Sequence, residues 1–332
     1  MTTPSTRPGP RNDITDVPGL KVGQAEDARI ATGVTVILPD SPAICAGDVR
    51  GGGPGTRETD LLDPSTLVTR ADAIVLSGGS SYGLAAADGA AAWLGSQGRG
   101  FALVRSPGVP PSPIVPAAIL YDLANGGAKD WGDDPPYRRL GFDACRTATG
   151  GPVRLGRAGA GFGARAGATR GGLGAASYVA EDGLAVGALI AVNSFGSVKM
   201  PGSDVFWAWP FEEDGEFGAR RPDPSWRPVA DLPPDTKLAA ATARANTTIG
   251  VVAISASLTQ ADAKRVAIMA QDGLARAIRP VHGPTDGDAL FVLATGEEKP
   301  SDPVTLTRIG LLAADCVARA VARAVFEAER QR

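Results

Sequence analysis

The sequence predicts a layered α/β or α+β domain, because short apolar strands, hairpin turns and amphipathic helices follow one another without strict β-α-β repetition. Glycine (43 residues) and proline (27 residues) divide the chain into many short elements. Glu181-Asp182-Gly183 is a typical hairpin turn between two of the strands. Runs of apolar and β-branched residues predict strands at 32–38, 44–49, 73–76, 177–180, 184–192, 249–254 and 289–295.

Three segments have the composition or the periodicity of helices. Residues 82–94 are rich in alanine, and one serine of the pair Ser80–Ser81 is expected to cap that helix. Thr259 and Asp262 form an acidic capping box ahead of a second apolar stripe. Residues 305–329 form the third, an amphipathic helix at the C-terminus.

The 332 residues are sufficient for one large layered domain, which we place at 13–332 after a flexible polar tail, 1–12. Residues 200–237 do not fit this pattern, because they contain seven prolines and three of the five tryptophans. Loops longer than about 12 to 15 residues are uncommon in compact domains. We therefore expect 200–237 to be a flexible segment.

Composition argues against several classes of partner. The net charge is −3 and the isoelectric point is about 5.4, with no basic stripe for nucleic acid or anionic lipid. The longest buried-type run, 185–192, is too short to span a bilayer, and residues 1–13 lack the apolar core of a signal peptide. Cys45, Cys145 and Cys316 are scattered, as expected for reduced thiols of a cytoplasmic protein.

The single histidine, His282, limits the chemistry further. Zinc sites with two or three histidines cannot form within one chain, no Cys-x-x-Cys pair replaces them, and we expect neither metal nor other cofactor. A serine-histidine-aspartate triad would have to use His282. The general base is therefore expected to be a carboxylate, a lysine or an α-amino group.

The strand at 249–254 is preceded by three small polar residues, Asn246, Thr247 and Thr248. By pattern alone, the threonines are β-formers that begin a strand after a turn. A threonine that becomes an N-terminus has a second use, because its α-amine, with a reference pKa of about 7.7 to 8.0, can accept the proton of its own hydroxyl. The residues alone leave both interpretations open.

Six segments occur in the order found in one known family, and the resemblance extends from about Asn12 to the C-terminal helix. The chain resembles the L-aminopeptidase/D-esterase (DmpA-like) family of self-cleaving N-terminal-nucleophile hydrolases, which are related to nylon-oligomer hydrolases. The segments are NDITDVPGLKVG (12–23), GGSSYGL (78–84), GAGFG (159–163), GGLG (171–174), NTTIGVV (246–252) and IRPVHGPTDGD (278–288).

The resemblance implies an α+β fold, an αββα layered sandwich like those of DmpA and ornithine acetyltransferase. It also implies cleavage between Asn246 and Thr247, which would divide the chain into an α-fragment, 1–246, and a β-fragment, 247–332. Relatives of this kind act on small amides, short peptides or esters, and they assemble as homo-oligomers, commonly tetramers of αβ units.

Several residues match the family's reaction site. The resemblance implies that Thr247 is the nucleophile, that Asn193 stabilises the oxyanion, and that Tyr121 is a second oxyanion or orienting group. It further implies that Asp286 and Asp288 hold the α-ammonium and the hydroxyl of Thr247. Without the resemblance, ordinary turn, strand and half-buried aromatic positions would account for these residues.

Other positions are predicted to line the substrate cleft. They are Gly78, Gly79 and Ser80 in GGSSYGL, and Arg170 directly before GGLG. Nylon-hydrolase-like members carry a lysine seven residues after their Gly-Ala-Gly, but Ala168 occupies that position here. Because arginine stays protonated, Arg170 cannot replace it as a base. The α-amine of Thr247 is therefore the favoured base.

Three other functions remain open from the sequence. The first is hydrolysis of 6-aminohexanoate oligomers, and the second is acyl transfer of the ornithine acetyltransferase kind. The third is a binding protein that keeps the fold without cleaving, which the alanine at position 168 would favour. The sequence does not rank L-peptides, D-alanyl amides, β-peptides and aminohexanoate oligomers as substrates.

Overall fold

The computed structural model describes residues 5–228, 231–237 and 246–331. All the predicted strands and helices are present. Within the described residues the strands are β1 (Thr6–Arg7), β2 (Leu20–Asp27), β3 (Thr32–Pro39), β4 (Ala43–Val49), β5 (Thr56–Arg57), β6 (Arg70–Ala71), β7 (Ile74–Ser77), β8 (Ala117–Ile119), β9 (Arg165–Ala166), β10 (Thr169–Arg170), β11 (Gly172–Ala180), β12 (Ala185–Asn193), β13 (Thr247–Ile254) and β14 (Ala289–Ala294). The helices are α1 (Ala85–Ser96), α2 (Tyr137–Arg146), α3 (Gln260–Ala277) and α4 (Pro303–Arg330).

Most of the strands belong to two sheets. The larger sheet has the order β1-β11-β12-β13-β14-β4-β6, and the smaller has the order β2-β3-β7-β8-β5. The strand β13 lies in the middle of the larger sheet, antiparallel to β12 and parallel to β14. The strand that begins with Thr247 is thus the central strand of this sheet.

The sheets and helices form four layers. Helices α3 and α4 pack against the larger sheet, whereas α1 and α2 pack against the smaller one. One apolar core lies between the two sheets. A second lies between the larger sheet and its helices, and a third lies between the smaller sheet and its helices. This arrangement confirms the predicted αββα sandwich. In the part of the chain that is described, no helix has the length and apolar character needed to cross a membrane.

The sequence of β13 explains its central position. Its side chains alternate between the two faces, and every residue of the strand is buried. Ile249 and Val251 enter the core between the sheets, whereas Val252 and Ile254 enter the core beneath α3 and α4. A strand that is apolar on both faces is stable only when both faces are covered.

The two predicted helix caps have different outcomes. Thr259 and Asp262 form the predicted capping box, in which each side chain accepts a hydrogen bond from the backbone amide of the other, both at 3.1 Å. The predicted serine cap of α1 is wrong, because the N-cap residue of α1 is Leu84, whose side chain makes no capping hydrogen bond. Ser80 instead begins a short 3-10 turn with φ of 53°.

Residues before the predicted boundary at residue 13 belong to the fold. Within the segment 5–12, β1 pairs antiparallel with β11 at the edge of the larger sheet. Asn12 accepts a hydrogen bond from Arg319 on α4 at 2.8 Å. The sequence lacks a strong signal here because a two-residue edge strand has no periodicity.

Part of the segment 200–237 packs into the core, in contrast to the prediction. Phe206 and Phe217 are buried between the larger sheet and its helices, with their ring centroids 5.5 Å apart. Glu216 accepts two hydrogen bonds, at 2.6 and 3.0 Å, from the fully buried guanidinium of Arg319. Aromatic anchors and one buried ion pair therefore hold this proline-rich chain against α4.

We expect Glu216→Ala to lower the free energy of unfolding by about 3 to 5 kcal/mol, because it leaves the Arg319 cation buried without its carboxylate. Urea unfolding followed by tryptophan fluorescence measures the change. Glu297→Ala, at an exposed position, is the control and should change the free energy by less than about 0.5 kcal/mol. Equal effects of the two substitutions would show that the buried pair does not hold the segment.

Candidate active site

The pairing of β12, β13 and β14 brings the predicted site residues to one end of the larger sheet. Asn193, the last residue of β12, is directly opposite Thr247, the first residue of β13. A β-bridge between Asn246 and Asp286 lies beside this pair, just before β14. These four residues are almost completely buried, with at most 4% of each exposed.

The predicted junction has a donor aimed at its carbonyl group. The amide of Gly287 donates to the carbonyl oxygen of Asn246 at 2.9 Å, and the Thr247 hydroxyl donates to the same oxygen. A β-carbon on Gly287 would lie 2.7 Å from Oγ1 of Thr247. Glycine is thus the residue that fits here. The sequence analysis missed this role because Asp-Gly is a common turn pair.

Asp288 anchors the start of β13. Its Oδ1 accepts from the amide of Thr248 at 2.7 Å. Its Oδ2 lies 2.9 Å from Nδ1 of His282 and accepts from the amide of that residue at 3.1 Å. The single histidine therefore orients a buried carboxylate of the site.

Asp286 lies on the other side of the junction. Its two oxygens accept from the amides of Gly283 and Phe195, at 2.8 and 3.3 Å. Burial, and then the neighbouring Asp288 carboxylate, raise the pKa of Asp286 to about 6. This carboxyl group thus changes charge close to neutral pH.

The loop at 50–55 holds the backbone of Asp286 and Asp288 through hydrogen bonds. The amide of Gly53 donates to the carbonyl oxygen of Asp286 at 2.7 Å, and the amide of Arg50 donates to that of Asp288 at 2.9 Å. A β-carbon on Gly51 would lie 2.2 Å from the carbonyl oxygen of Asp286. The three consecutive glycines, Gly51 to Gly53, therefore allow one backbone segment to lie directly against another.

Asn193 is fixed by the loops around it. Its Nδ2 donates to the carbonyl oxygen of Tyr121 at 3.0 Å, and its Oδ1 accepts from the amide of Arg165 at 2.9 Å. Tyr121 and Asn193 line the same narrow cavity. The contact that the structure shows for Tyr121 is through its backbone, not through its hydroxyl.

Lys237 is a site residue that the sequence analysis missed. Its Nζ donates to the carbonyl oxygen of Asn193 at 2.7 Å and to Oδ1 of Asn193 at 3.2 Å, and only 5% of the residue is exposed. Burial lowers the pKa of this amine to about 7, although the nearby Asp286 opposes the shift. A lysine in a loop segment has no pattern that would reveal such a position.

Lys237 also lies close to the position at which the family pattern has a lysine. The amide of Ala168 donates to the carbonyl oxygen of Asp235 at 2.8 Å, which joins the loop at 168 to the segment that carries Lys237. A different part of the chain therefore delivers an amine to the Asn193 side of the site.

Gly78, Gly79 and Ser80 pack against Leu120 and Asp122, the two residues on either side of Tyr121. The amide of Gly79 donates to Oδ1 of the buried Asp122 at 2.7 Å, and a β-carbon on Gly78 would lie 2.2 Å from Oδ2 of Asp122. The amide of Ser80 donates to the carbonyl oxygen of Leu120 at 3.0 Å. Gly78 and Gly79 thus hold the side chain of Asp122, which lines the same cavity as Asn193.

Arg170 lies farther out, on the exposed hairpin of β9 and β10. It lines a second cavity, which shares Arg165 with the cavity at Asn193. The structure thus brings Thr247, Asn193, Asp286 and Asp288 together and places Arg170 at the rim.

The αββα sandwich is the fold of solved structures that are described as N-terminal-nucleophile (Ntn) hydrolases. The chain belongs to peptidase family S58, whose family model matches residues 12–332. An uncharacterized aminopeptidase of Mycobacterium tuberculosis is 45% identical, over 96% of this chain and 94% of its own length. A 6-aminohexanoate-oligomer endohydrolase of Kocuria sp. is 29% identical, over 93% and 84% of the two chains.

Solved structures share the fold. A β-aminopeptidase of Burkholderia sp. matches with a TM-score of 0.71 at 24% identity, covering 98% of this chain and 88% of its own. The L-aminopeptidase D-Ala-esterase/amidase of Ochrobactrum anthropi matches with a TM-score of 0.70 at 23% identity, covering 99% and 89%. Family and fold together make this chain a hydrolase of amide bonds, of the aminopeptidase and amidase kind.

We expect Gly287→Ala to reduce kcat/KM for a small amide by about 100-fold, because the new methyl group displaces Oγ1 of Thr247 by a fraction of an ångström or more. Hydrolysis of alanine p-nitroanilide measures the effect. Gly95→Ala is the control, since a β-carbon there would meet its nearest neighbour only at 3.9 Å. Parental activity in the Gly287→Ala enzyme would contradict the close approach.

Proposed function

We propose that the chain cleaves itself between Asn246 and Thr247, and that Thr247 then acts as the N-terminal nucleophile on small amide, peptide or ester substrates. One observation carries the proposal: the amide of Gly287 donates at 2.9 Å to the carbonyl oxygen of Asn246, the group that self-cleavage would attack. A backbone donor at this oxygen stabilises the negative charge that forms during attack.

The self-cleavage step uses the hydroxyl of Thr247. Oγ1 attacks the carbonyl carbon of Asn246, and the bond from that carbon to the Thr247 nitrogen breaks. The base that takes the hydroxyl proton returns it to the departing nitrogen, which leaves an ester between Asn246 and Thr247. Water then hydrolyses the ester, giving the Asn246 carboxylate and a free Thr247 hydroxyl and α-amine.

Two bases serve the two reactions. In the intact chain the nitrogen of Thr247 belongs to a peptide bond and cannot accept a proton, so self-cleavage needs a base from elsewhere. Lys237 is suited to this role, because its buried amine has a pKa lowered to about 7 and contacts Asn193, the strand partner of Thr247. After cleavage, the α-amine of Thr247 is the base for turnover.

Turnover then follows the chemistry of an acyl-enzyme. Oγ1 of Thr247 attacks the substrate carbonyl, the amine or alcohol leaves, and water hydrolyses the resulting ester. The side chain of Asn193 and the amide of Gly287 are the proposed oxyanion donors. Asp286 and Asp288 hold the new α-ammonium group and the start of β13.

We also propose that the protein is a cytoplasmic homo-oligomer, with a tetramer of αβ units as the resemblance implies. All three cysteines are free and buried, which fits a reducing compartment. Leu67, Leu103 and Val104 are more than half exposed, and a contiguous apolar patch of such side chains would suit an interface between subunits.

We expect the purified protein to contain two fragments, 1–246 and 247–332, the second beginning Thr-Thr-Ile-Gly-Val. Intact mass under denaturing conditions and N-terminal sequencing measure this. Thr247→Val keeps the side-chain volume but removes the nucleophile, so this variant should remain one chain. Thr248→Val, the matched change one residue later, should still be cleaved. Cleavage of the Thr247→Val protein at the same bond would contradict the proposed nucleophile.

We expect the rate of self-cleavage to rise with pH through about 7 and then to level off, because Lys237 is a base only when it is deprotonated. Lys237→Met should slow self-cleavage by about 100-fold and remove this dependence. Lys237→Arg keeps the positive charge but removes the base, since arginine stays protonated, and it should therefore also slow self-cleavage. Lys199→Met is the control, because Lys199 pairs with Glu329 at 2.8 Å outside the site. A Lys237→Arg protein that is cleaved at the parental rate would contradict the role of the lysine.

A further inference from the structure

A basic cavity adjoins the candidate active site. It has a volume of about 190 Å³, and its walls include Arg157, Arg165 and Arg170. It shares Asn125, Gly163 and Arg165 with the narrow cavity that Asn193 and Lys237 line. The two cavities are therefore neighbours, and we call the outer one the arginine trough.

The arginine trough has positive charge that the described residues do not neutralise. Among the described residues that line it, none has an acidic side chain. In residues 5–228, 231–237 and 246–331, no carboxylate forms an ion pair with any of its three arginines, whereas nearby Arg154 pairs with Glu26 at 2.8 Å. An anion in the trough would thus meet three cations and no carboxylate among the described residues that line it.

Other contacts hold the arginines in place. The guanidinium of Arg157 lies over the ring of Phe162, 5.1 Å from its centroid. The side chain of Arg170 donates to the carbonyl oxygen of Gln331. The backbone amide of Arg165 donates to Oδ1 of Asn193, which ties the trough directly to the proposed oxyanion donor.

The hairpin places two like charges opposite each other. Arg165 of β9 and Arg170 of β10 are directly paired, so their side chains leave the same face of the hairpin. Like charges at such positions are destabilising. A bound anion would offset this repulsion, which gives the arrangement a physical reason in substrate binding.

We propose that the arginine trough binds a carboxylate on the leaving residue of the substrate, above all the C-terminal carboxylate of a dipeptide. The proposal rests on the proposed function, since it takes Thr247 as the nucleophile. A dipeptide has its carboxylate one residue beyond the cleaved bond, and the trough begins one hydrogen bond away from Asn193. Arginine suits this group because its guanidinium pairs with both carboxylate oxygens. An acidic side chain on the leaving residue has the same chemistry.

The test compares four substrates that differ at the leaving residue. Alanyl-alanine and alanyl-alanine amide differ in the terminal carboxylate, and alanyl-aspartate amide and alanyl-asparagine amide differ in the side-chain carboxylate. We expect the wild-type enzyme to have a kcat/KM about tenfold higher for alanyl-alanine than for its amide, as one charge-assisted contact provides. A preference confined to the aspartate pair would overturn the assignment to the terminal carboxylate.

The double variant Arg157→Gln and Arg170→Gln tests the residues. The measured quantity is the ratio of kcat/KM for alanyl-alanine to that for its amide, in which the amount of folded enzyme cancels. We expect the ratio to fall from about ten to about one. Arg265→Gln, on the exposed face of α3, should leave it at about ten. An unchanged ratio in the double variant, and in the triple variant that adds Arg165→Gln, would overturn the proposal.

The failure of this inference differs from the failure of the proposed function. An enzyme that hydrolyses alanyl-alanine and its amide equally well would overturn the proposed carboxylate binding by the arginine trough. The proposed threonine mechanism would remain. A chain that stays uncleaved at Asn246 and hydrolyses none of the four substrates would overturn both. Added salt gives a further check, because the preference should shrink as ionic strength screens the exposed guanidinium groups.

Discussion

The backbone pairing of β13 with β12 and β14 is the constraint on which the candidate site depends. It places Thr247 opposite Asn193 and brings the loop before β14 beside Asn246. Because β13 is apolar on both faces and covered on both, a slip of one residue would exchange its two sets of side chains between different cores. The register of a buried strand thus sets the position of the hydroxyl that we propose as the nucleophile.

Close packing of backbone and polar groups around Thr247 sets the surroundings of the candidate site. Gly287 and the glycines at 51–53 allow two loops to approach the junction, and their amides donate to carbonyl groups of the site. The same packing excludes water from Asp286 and Lys237, and burial moves the pKa values of both toward neutrality. Burial of these residues thus belongs to the packing of the fold and also brings two titratable groups of the candidate site close to neutral pKa values.

The segment 200–237 connects the proposed self-cleavage to the candidate site. It packs against α4 through Phe217 and Glu216, and it delivers Lys237 to Asn193 ten residues before Thr247. In the proposed mechanism, the chain that is cleaved therefore supplies the base for its own cleavage. Family S58 membership and 45% identity to a mycobacterial aminopeptidase place this arrangement within a group of amide hydrolases.

The sequence by itself determined the strands, the main helices and the capping box at Thr259, because these depend on periodicity and local hydrogen bonding. Its ordered motifs also indicated the family and the sandwich. Only the tertiary structure decided that Ser80 does not cap α1, that much of the proline-rich segment is packed, and that Lys237 and Gly287 belong to the site. These features depend on contacts between distant segments, and no local pattern of residues encodes which loops will meet.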